Sequence, residues 1–201
     1  MTLSSRFDDA LIYARQLHAT QVRKGTTIPY FAHQLAVTSI ALEHGGGEDE
    51  SIAALLHDAI EDQGGPATRA EIRDRFGDNV VAIVDGCTDA ETIPKPPWRE
   101  RKEDYVAHIA VSSPAVRLVS AADKLHNARS ILADYRQLGE ALWSRFNGGR
   151  EGTLWYYRAL VDVFRSVESS RLVDELDRTV SELERLVTRE NDAHVGTPYE
   201  L

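Results

Sequence analysis

Residues 57–62 read HDAIED and combine one imidazole with three carboxylates at the end of an apolar stretch. Burying unpaired charge is costly, so a buried helix seldom carries this combination. A divalent cation removes that cost, because imidazole and carboxylate are both good ligands and the ion neutralises the carboxylates. On a continuous helix the last two carboxylates would lie one turn beyond the His-Asp pair, so one pair could bind a metal while the other reaches its water. The alternative interpretation is an acidic helix end that is only solvated surface.

Two further segments hold residues of the same chemical types. Residues 23–33 (RKGTTIPYFAH) have turn-forming Gly25 and Pro29, followed by an apolar helix start that contains one histidine. Residues 120–130 (SAADKLHNARS) place an aspartate at the end of a run of small residues, inside a long helical pattern. The chain therefore presents one histidine, then a His-Asp pair, then a distant aspartate.

This order resembles the metal-ligand set of the HD phosphohydrolases. Within that superfamily the similarity is more specific, because the order RKG…PYxxH, then HDxxED, then DKLHNAR resembles the hydrolase domain of RelA/SpoT-type alarmone enzymes. The chain is more similar still to the stand-alone small alarmone hydrolases, and the resemblance extends over roughly residues 5–165.

The resemblance implies a metal site with four ligands, which are His33, His57, Asp58 and Asp123. Two imidazoles and two carboxylates, with waters completing the shell, form a mixed nitrogen and oxygen set that suits octahedral Mn²⁺. The set contains no thiolate, which argues against structural zinc, while iron stays open. Glu61 and Asp62 would then act on a metal-activated water. One would orient or deprotonate it and the other would protonate the leaving oxygen, and the sequence leaves the division between them open.

The resemblance also implies a substrate pocket of basic, aromatic, amide and hydroxyl side chains, which are Arg23, Lys24, Tyr30, Lys95, Arg101, Lys102, Asn127 and Ser130. The guanidinium of Arg23 would stack on a purine ring. Lys24 would serve phosphate or ring edges, Tyr30 would form a wall, and the amide and hydroxyl groups would hydrogen-bond sugar or base. Lys95, Arg101 and Lys102 would bind the polyphosphate. An equally good interpretation of these three cations is that they are solvated surface charges.

The implied activity is hydrolysis of guanosine 3′-pyrophosphate alarmones to GDP or GTP plus pyrophosphate. A second hypothesis is another HD-type nucleotide phosphohydrolase, with an adenine alarmone, a phosphorylated nicotinamide cofactor or a nucleoside monophosphate as substrate. A third hypothesis, of a different class, is a non-catalytic module that senses nucleotides. The presence of both Glu61 and Asp62 argues against a sensor, since a pure binder does not need them.

Composition limits the partners of the protein. The chain has 201 residues, a formal net charge of −9 and a pI near 5.3. This acidic balance argues against general nucleic-acid binding, because phosphate contacts need a basic surface. The N-terminus lacks the cationic and apolar regions of a secretory signal, and no apolar run is long enough to cross a bilayer. We therefore expect a cytoplasmic protein that binds a purine nucleotide and neither nucleic acid nor membrane.

Hydrophobic periodicity predicts an all-α fold, which the resemblance identifies as an HD-domain bundle of about eight to ten helices. We expect the fourth helix to open with a capping box of Thr68 and Glu71, and residues 147–152 to form a flexible loop. Residues 1–168 are interpreted as the hydrolase domain. Residues 169–201 are interpreted as a C-terminal helix with a frayed tail, which packs on the domain or joins two copies as a homo-oligomer. The predicted helices cover residues 7–20, 33–44, 48–61, 69–76, 78–88, 99–111, 114–138, 153–167 and 170–189.

Overall fold

Helices pack against helices throughout the computed structural model, which describes residues 2–89 and 94–195. These residues form ten α-helices, one 3₁₀ helix and an isolated antiparallel bridge between Val22 and Pro29. The architecture confirms the predicted all-α fold. The elements in chain order are α1 (Ser5–Leu17), α2 (Phe31–Glu43), α3 (Glu48–Leu56), α4 (Ala59–Asp62), α5 (Pro66–Phe76), α6 (Asp78–Cys87), α7 (Trp98–Val111), α8 (Pro114–Leu138), the 3₁₀ helix (Gly139–Arg145), α9 (Gly149–Val167) and α10 (Arg171–Val195).

Helix α8 lies at the centre of the bundle and contacts α2, α3, α6, α9 and α10. It begins where the sequence predicts, because the Ser113 hydroxyl accepts a hydrogen bond from the Val116 amide and Pro114 occupies the first turn. The four consecutive residues 120–123 are all buried. A helix that is buried on all sides is typical of the core of a bundle. Asp123 is therefore held in the interior of the protein.

The helix predicted over residues 48–61 is interrupted, which corrects that prediction. Helix α3 ends at Leu56, residues 57–58 form a turn, and the short helix α4 follows. In a continuous helix the Ala54 carbonyl would accept a hydrogen bond from the backbone amide of Asp58, four residues later. Here the Nδ1 atom of His57 lies 2.8 Å from that carbonyl oxygen. The His-Asp pair thus lies at a junction, and the stacking expected of one continuous helix does not apply to the carboxylates of α4.

Helix α5 begins earlier than predicted, at Pro66. Gly65 precedes it with a left-handed backbone (φ 56°), which glycine adopts without steric penalty. Thr68 lies inside the first turn, where its hydroxyl donates a hydrogen bond to the Gln63 carbonyl. The predicted capping box of Thr68 and Glu71 is therefore wrong.

Helix α9 also begins earlier than predicted, since it includes Gly149 and Gly152. The indole ring of Trp98 lies against this segment, and a Cβ atom would come within 2.6 Å of the ring at Gly148 and 3.1 Å at Gly152. Glycine weakens helices, which is why the sequence predicted a loop over residues 147–152. Close packing of α7 on α9 requires the glycines instead, so the predicted loop is wrong from Gly149 onward.

Helix α10 packs along α8 and α9. Arg158 of α9 joins it through ion pairs of 2.6 Å to Asp177 and 2.5 Å to Glu184. The helix extends to Val195, past the predicted end, and the rest of the expected frayed tail falls outside the described residues. No helix in the described ranges is long and apolar enough to cross a membrane. The buried apolar residues of α10 recur at helical spacing, at Leu172, Val173, Leu176, Val180, Leu183 and Val187.

Candidate functional site

Four side chains from α2, α8 and the turn between α3 and α4 meet in the interior. The Nε2 atom of His57 lies 2.9 Å from Asp58 Oδ2 and 3.7 Å from Asp123 Oδ1. The Nε2 atom of His33 lies 3.2 Å from Asp123 Oδ1 and 3.8 Å from Asp58 Oδ2. The structure therefore brings together all four residues that the sequence suggested as metal ligands.

The two Nε2 atoms in this cluster fit a metal ion. Both atoms are buried, and neither has a hydrogen-bond partner among the residues that the structure describes. A buried polar atom without a partner calls for an explanation, and a divalent cation bound by imidazole and carboxylate would provide one. The ligand atoms of His33, His57 and Asp58 all lie within 4.8 Å of one another. The donor set present is thus suited to a divalent metal.

The second nitrogen of each imidazole is held by a neighbour. Nδ1 of His57 donates to the Ala54 carbonyl at 2.8 Å, so the neutral form of this ring has its lone pair on Nε2. Nδ1 of His33 lies 2.7 Å from Nδ1 of His126. Burial, with a smaller effect from the charge of His33, lowers the pKa of His126 to about 4. Sequence analysis gave His126 no role, although its position three residues after Asp123 on a helix is a signal that the two share a face.

Opposite charges set the protonation of the cluster. Burial alone would lower the pKa of His57, but the negative charges of Asp58 and Asp123 raise it well above its ordinary value. Burial alone would raise the pKa of both carboxyl groups, but His57 beside Asp58 and Lys124 beside Asp123 hold these pKa values below their usual range. Without a metal, the cluster therefore favours a proton on His57, which a bound cation would displace.

Each carboxylate of the cluster has a further side-chain contact. Lys124 Nζ donates to Asp123 Oδ2 at 2.6 Å, and the same ammonium group lies 4.9 Å from the ring centroid of Tyr105. The Tyr30 hydroxyl donates to Asp58 Oδ2. These contacts fix the orientation of both carboxylates relative to the imidazoles. Lys124 was missed in the sequence, although it directly follows the aspartate of the third motif.

Three of the predicted substrate residues, Arg23, Asn127 and Tyr30, are joined to the cluster. Arg23 donates from Nη2 to Asn127 Oδ1 at 2.8 Å, and Asn127 donates from Nδ2 to Asp123 Oδ1. The guanidinium of Arg23 also lies 5.9 Å from the ring centroid of Tyr30. Arg23, Asn127 and Tyr30 thus line one side of the four-residue cluster.

Two other predicted substrate residues lie farther along the same elements. Lys24 is exposed on the loop before α2. Ser130 is half-buried on α8, where its hydroxyl donates to the His126 carbonyl at 3.0 Å. The hydrogen bonds described for the cluster include neither side chain, so their contact with a substrate stays a prediction.

Glu61 and Asp62 have different neighbours. Glu61 Oε1 accepts a hydrogen bond from Lys95 Nζ at 2.5 Å, and its Oε2 accepts one from the Asp89 amide at 3.3 Å. Asp62 Oδ2 accepts a hydrogen bond from Gln21 Nε2 at 2.8 Å. Desolvation raises the pKa of Asp62, and the hydrogen bond from Gln21 partly opposes that shift. The two carboxylates are therefore electrostatically distinct.

Asp89 pairs with two of the three predicted polyphosphate-binding cations. Arg101 and Lys102 both donate to Asp89 Oδ2, and their side chains are only 12% and 16% exposed. They are consequently not solvated surface charges, whereas Lys95, paired with Glu61, is 42% exposed. Sequence analysis missed Asp89, because an isolated aspartate before a proline-rich segment carries no signal of its partners.

The chain is similar to known proteins over most of its length. A sequence model described as HD domain matches residues 10–154. Guanosine-3′,5′-bis(diphosphate) 3′-pyrophosphohydrolase MESH1 of Xenopus tropicalis is 39% identical over 126 residues, which cover 61% of this chain and 68% of the relative. The protein of the same name from Homo sapiens is 38% identical over 128 residues, with the same two coverages.

A solved structure extends the similarity to the fold. It is described as a metazoan ortholog of SpoT that hydrolyzes ppGpp and plays a role in starvation responses. It matches with a TM-score of 0.75 and 26% sequence identity, covering 93% of this chain and 99% of the other. Together these matches confirm the family resemblance that the three sequence motifs indicate.

Proposed function

Because the chain belongs to the HD domain family, we propose that it is a metal-dependent 3′-pyrophosphohydrolase of guanosine alarmones. The observation that carries the proposal is the buried convergence of two unpartnered imidazole nitrogens and two carboxylates. Glu61 and Asp62 lie on the short helix α4, which directly follows Asp58. The names of the relatives from Xenopus tropicalis and Homo sapiens, which specify this hydrolysis, support the choice of substrate.

The proposed site holds one Mn²⁺ ion between the two imidazoles and the two carboxylates of the cluster. The donor set mixes nitrogen with oxygen and contains no thiolate, which favours Mn²⁺ over structural zinc. When bound, the ion supplies Lewis acidity that lowers the pKa of a water nucleophile and balances charge on the phosphoryl group. The proposed ligands are His33, His57, Asp58 and Asp123.

Hydrolysis needs a proton acceptor for the water and a proton donor for the leaving oxygen. The water oxygen bonds to the phosphorus nearest the ribose, and the bond between that phosphorus and the 3′ oxygen breaks. Glu61, whose charge Lys95 balances, takes a proton from the water. Asp62, whose pKa desolvation raises, gives a proton to the 3′ oxygen. The products are GDP or GTP with a free 3′ hydroxyl, and intact pyrophosphate.

The base of the nucleotide is assigned to the side of the cluster formed by Arg23, Asn127 and Tyr30. The planar guanidinium, held by the Asn127 carbonyl oxygen, stacks on the purine ring. Asn127 also donates to Asp123, so Arg23, the residue proposed to bind the base, is linked through Asn127 to a proposed metal ligand. With the base bound there, we expect the 3′ substituent, rather than the 5′ one, to lie next to the proposed metal ligands. Lys24 and Ser130 are assigned to the edges of the same pocket.

The phosphates are assigned to Lys95, Arg101 and Lys102, which reach Glu61 directly or through Asp89. Asp89 holds Arg101 and Lys102 in place before substrate arrives, so little side-chain entropy remains to be lost on binding. Lys95 is more exposed and is free to exchange its ion pair with Glu61 for one with a substrate phosphate. Such an exchange would also release Glu61 for proton transfer.

The test is a product assay on chelated protein, before and after Mn²⁺ is added back. The panel contains guanosine and adenosine nucleotides that carry a 3′ phosphate or a 3′ pyrophosphate. We expect no turnover without metal and, with Mn²⁺, turnover of the guanosine 3′-pyrophosphates. Undiminished activity of fully metal-free protein would overturn the metal assignment. Preference for the 3′ monophosphates would favour a phosphatase over a pyrophosphohydrolase.

A further inference from the structure

The imidazoles of His33 and His126 face each other through like atoms. Their Nδ1 atoms lie 2.7 Å apart, and their ring centroids are 4.8 Å apart with the planes tilted by 38°. A hydrogen bond between two ring nitrogens requires that one carries the hydrogen and the other presents a lone pair. Two arrangements therefore exist, and they place the lone pair of His33 at different atoms.

The surroundings of His33 Nε2 distinguish the two arrangements. If His126 donated, a neutral His33 would carry its hydrogen on Nε2, buried and without an aligned acceptor among the described residues. Asp123 Oδ1 lies 3.2 Å away but is not in hydrogen-bond geometry. If His33 donates from Nδ1, Nε2 presents a lone pair to the two carboxylates, as a metal ligand must.

We infer that His126 is a positioning residue, which accepts a hydrogen bond from His33 Nδ1 and so keeps the lone pair of His33 Nε2 directed at the metal site. The inference rests on the metal site in the proposed function. A metal-bound histidine most often donates to a carboxylate, a carbonyl or a water. His57 follows that rule with the Ala54 carbonyl, whereas His33 uses the ring of another histidine. Only the second contact is open to side-chain substitution.

Two substitutions at this position separate the hydrogen bond from mere packing. His126→Asn retains an acceptor, because the asparagine Oδ1 lies the same number of bonds from Cβ as Nδ1 of histidine. His126→Leu fills similar space without one. His108→Leu, at an exposed position on α7, is the matched control for removing a histidine. We expect His126→Leu to weaken Mn²⁺ binding by about 10–100-fold, the usual effect of losing such a contact, and the other two variants to stay near the wild type.

The readouts are a Mn²⁺ titration followed by electron paramagnetic resonance and ¹⁵N NMR of the histidine rings in metal-free protein. The His33 ring should be protonated at Nδ1 in the wild type and in His126→Asn, and should lose that preference in His126→Leu. Equal Mn²⁺ affinity in His126→Leu and wild type would overturn the inference. Should His126→Leu fail to fold, a wild-type His33 protonated at Nε2 would overturn it equally well.

The same measurements separate this inference from the proposed function. A wild-type protein that does not bind Mn²⁺ would contradict the metal site of the proposed function. The His33 ring would still be tested by NMR in that case. Protonation at Nδ1 that depends on residue 126 would support the positioning role, and its absence would overturn it.

Discussion

At the scale of single residues, the two unpartnered Nε2 atoms give the site its chemistry. The opposite nitrogen of each ring is already engaged, by a backbone carbonyl for His57 and by a side chain for His33. The carboxylates beside them are oriented by Tyr30 and Lys124. Substitutions of the proposed metal ligands and of Glu61 or Asp62 should therefore have separable effects on metal binding and on turnover.

Asp123→Ala should lose bound metal as well as turnover, because it removes the oxygen that lies near both imidazoles. The measurement is elemental analysis of protein dialysed after Mn²⁺ loading. Since the change also deprives the half-buried Lys124 of its ion pair, the fold is checked by circular dichroism. Asp162→Ala, at an exposed position of α9, is the control and should keep its metal. A full complement of Mn²⁺ in Asp123→Ala would show that Asp123 is not a ligand.

Glu61→Gln should keep the metal and bind nucleotide, yet lose about 10²–10⁴-fold in rate, the range typical of a proton-transferring group. The amide preserves the size of the side chain but cannot accept a proton from water. Mn²⁺ content, nucleotide affinity and the single-turnover rate are measured on the same preparation. If the variant loses its metal, Glu61 belongs to the ligands and the division of the HDxxED motif is wrong.

Gln21→Met should shift the pH dependence of the rate. The hydrogen bond from Gln21 favours the charged form of Asp62, so its removal raises the Asp62 pKa further above the ordinary value. A general acid must be protonated to act, so the alkaline limb of the kcat profile should move to higher pH. Gln63→Met is the control, because Gln63 contacts Gln21 rather than Asp62. Movement of the acidic limb instead would make Asp62 the base.

At the scale of the elements, hydrophobic periodicity and the Ser113-Pro114 start signal were enough to predict most helices, including the capped start of α8. The VVAIV run of α6 locally favours a strand, and a helix was predicted there because the sequence shows no partner strand. Periodicity failed where tertiary contacts overrule local preference. The turn at residues 57–58 involves the His57 ring and the Ala54 carbonyl, a contact that no periodic pattern encodes. The early start of α9 depends on the fit of its glycines against Trp98, a residue far away in the sequence.

The same limit explains which parts of the candidate site were predicted. His33, the His-Asp pair and Asp123 could be predicted as metal ligands because the residue types of the three motifs and their order in the chain are distinctive. The partners of those residues were missed, since a single histidine such as His126 or a single aspartate such as Asp89 acquires meaning only from what it faces. The family resemblance therefore supplied the reacting groups, and the structure supplied their neighbours.

Gly148→Ala should destabilise the protein by about 1–3 kcal/mol, the usual effect of overpacking. Its backbone (φ −82°) tolerates alanine, so the penalty comes from a Cβ placed 2.6 Å from the ring of Trp98. Glu151→Ala on the exposed surface of the same helix is the control and should change stability by less than about 0.5 kcal/mol. The measurement is the midpoint of urea unfolding. An unchanged midpoint in Gly148→Ala would show that α7 and α9 are not packed as described.

At the scale of the whole molecule, an acidic chain with net charge −9 is proposed to bind a highly anionic nucleotide. The fold gathers positive charge in the proposed substrate pocket, where Arg23 contacts Asn127 and where Lys95, Arg101 and Lys102 contact Glu61 or Asp89. Each of these cations already contacts an amide or a carboxylate of the protein. A bound metal adds the positive charge that the substrate phosphates require.

The proposed reaction breaks the bond between the 3′ oxygen and the nearest phosphorus. Phosphorus NMR, recorded during turnover of guanosine 3′,5′-bis(diphosphate) by Mn²⁺-loaded protein, identifies the bond that breaks. We expect pyrophosphate and GDP to appear together from the first spectra and in equal amounts. Orthophosphate as the initial product, or loss of a 5′ phosphate, would contradict the proposed reaction.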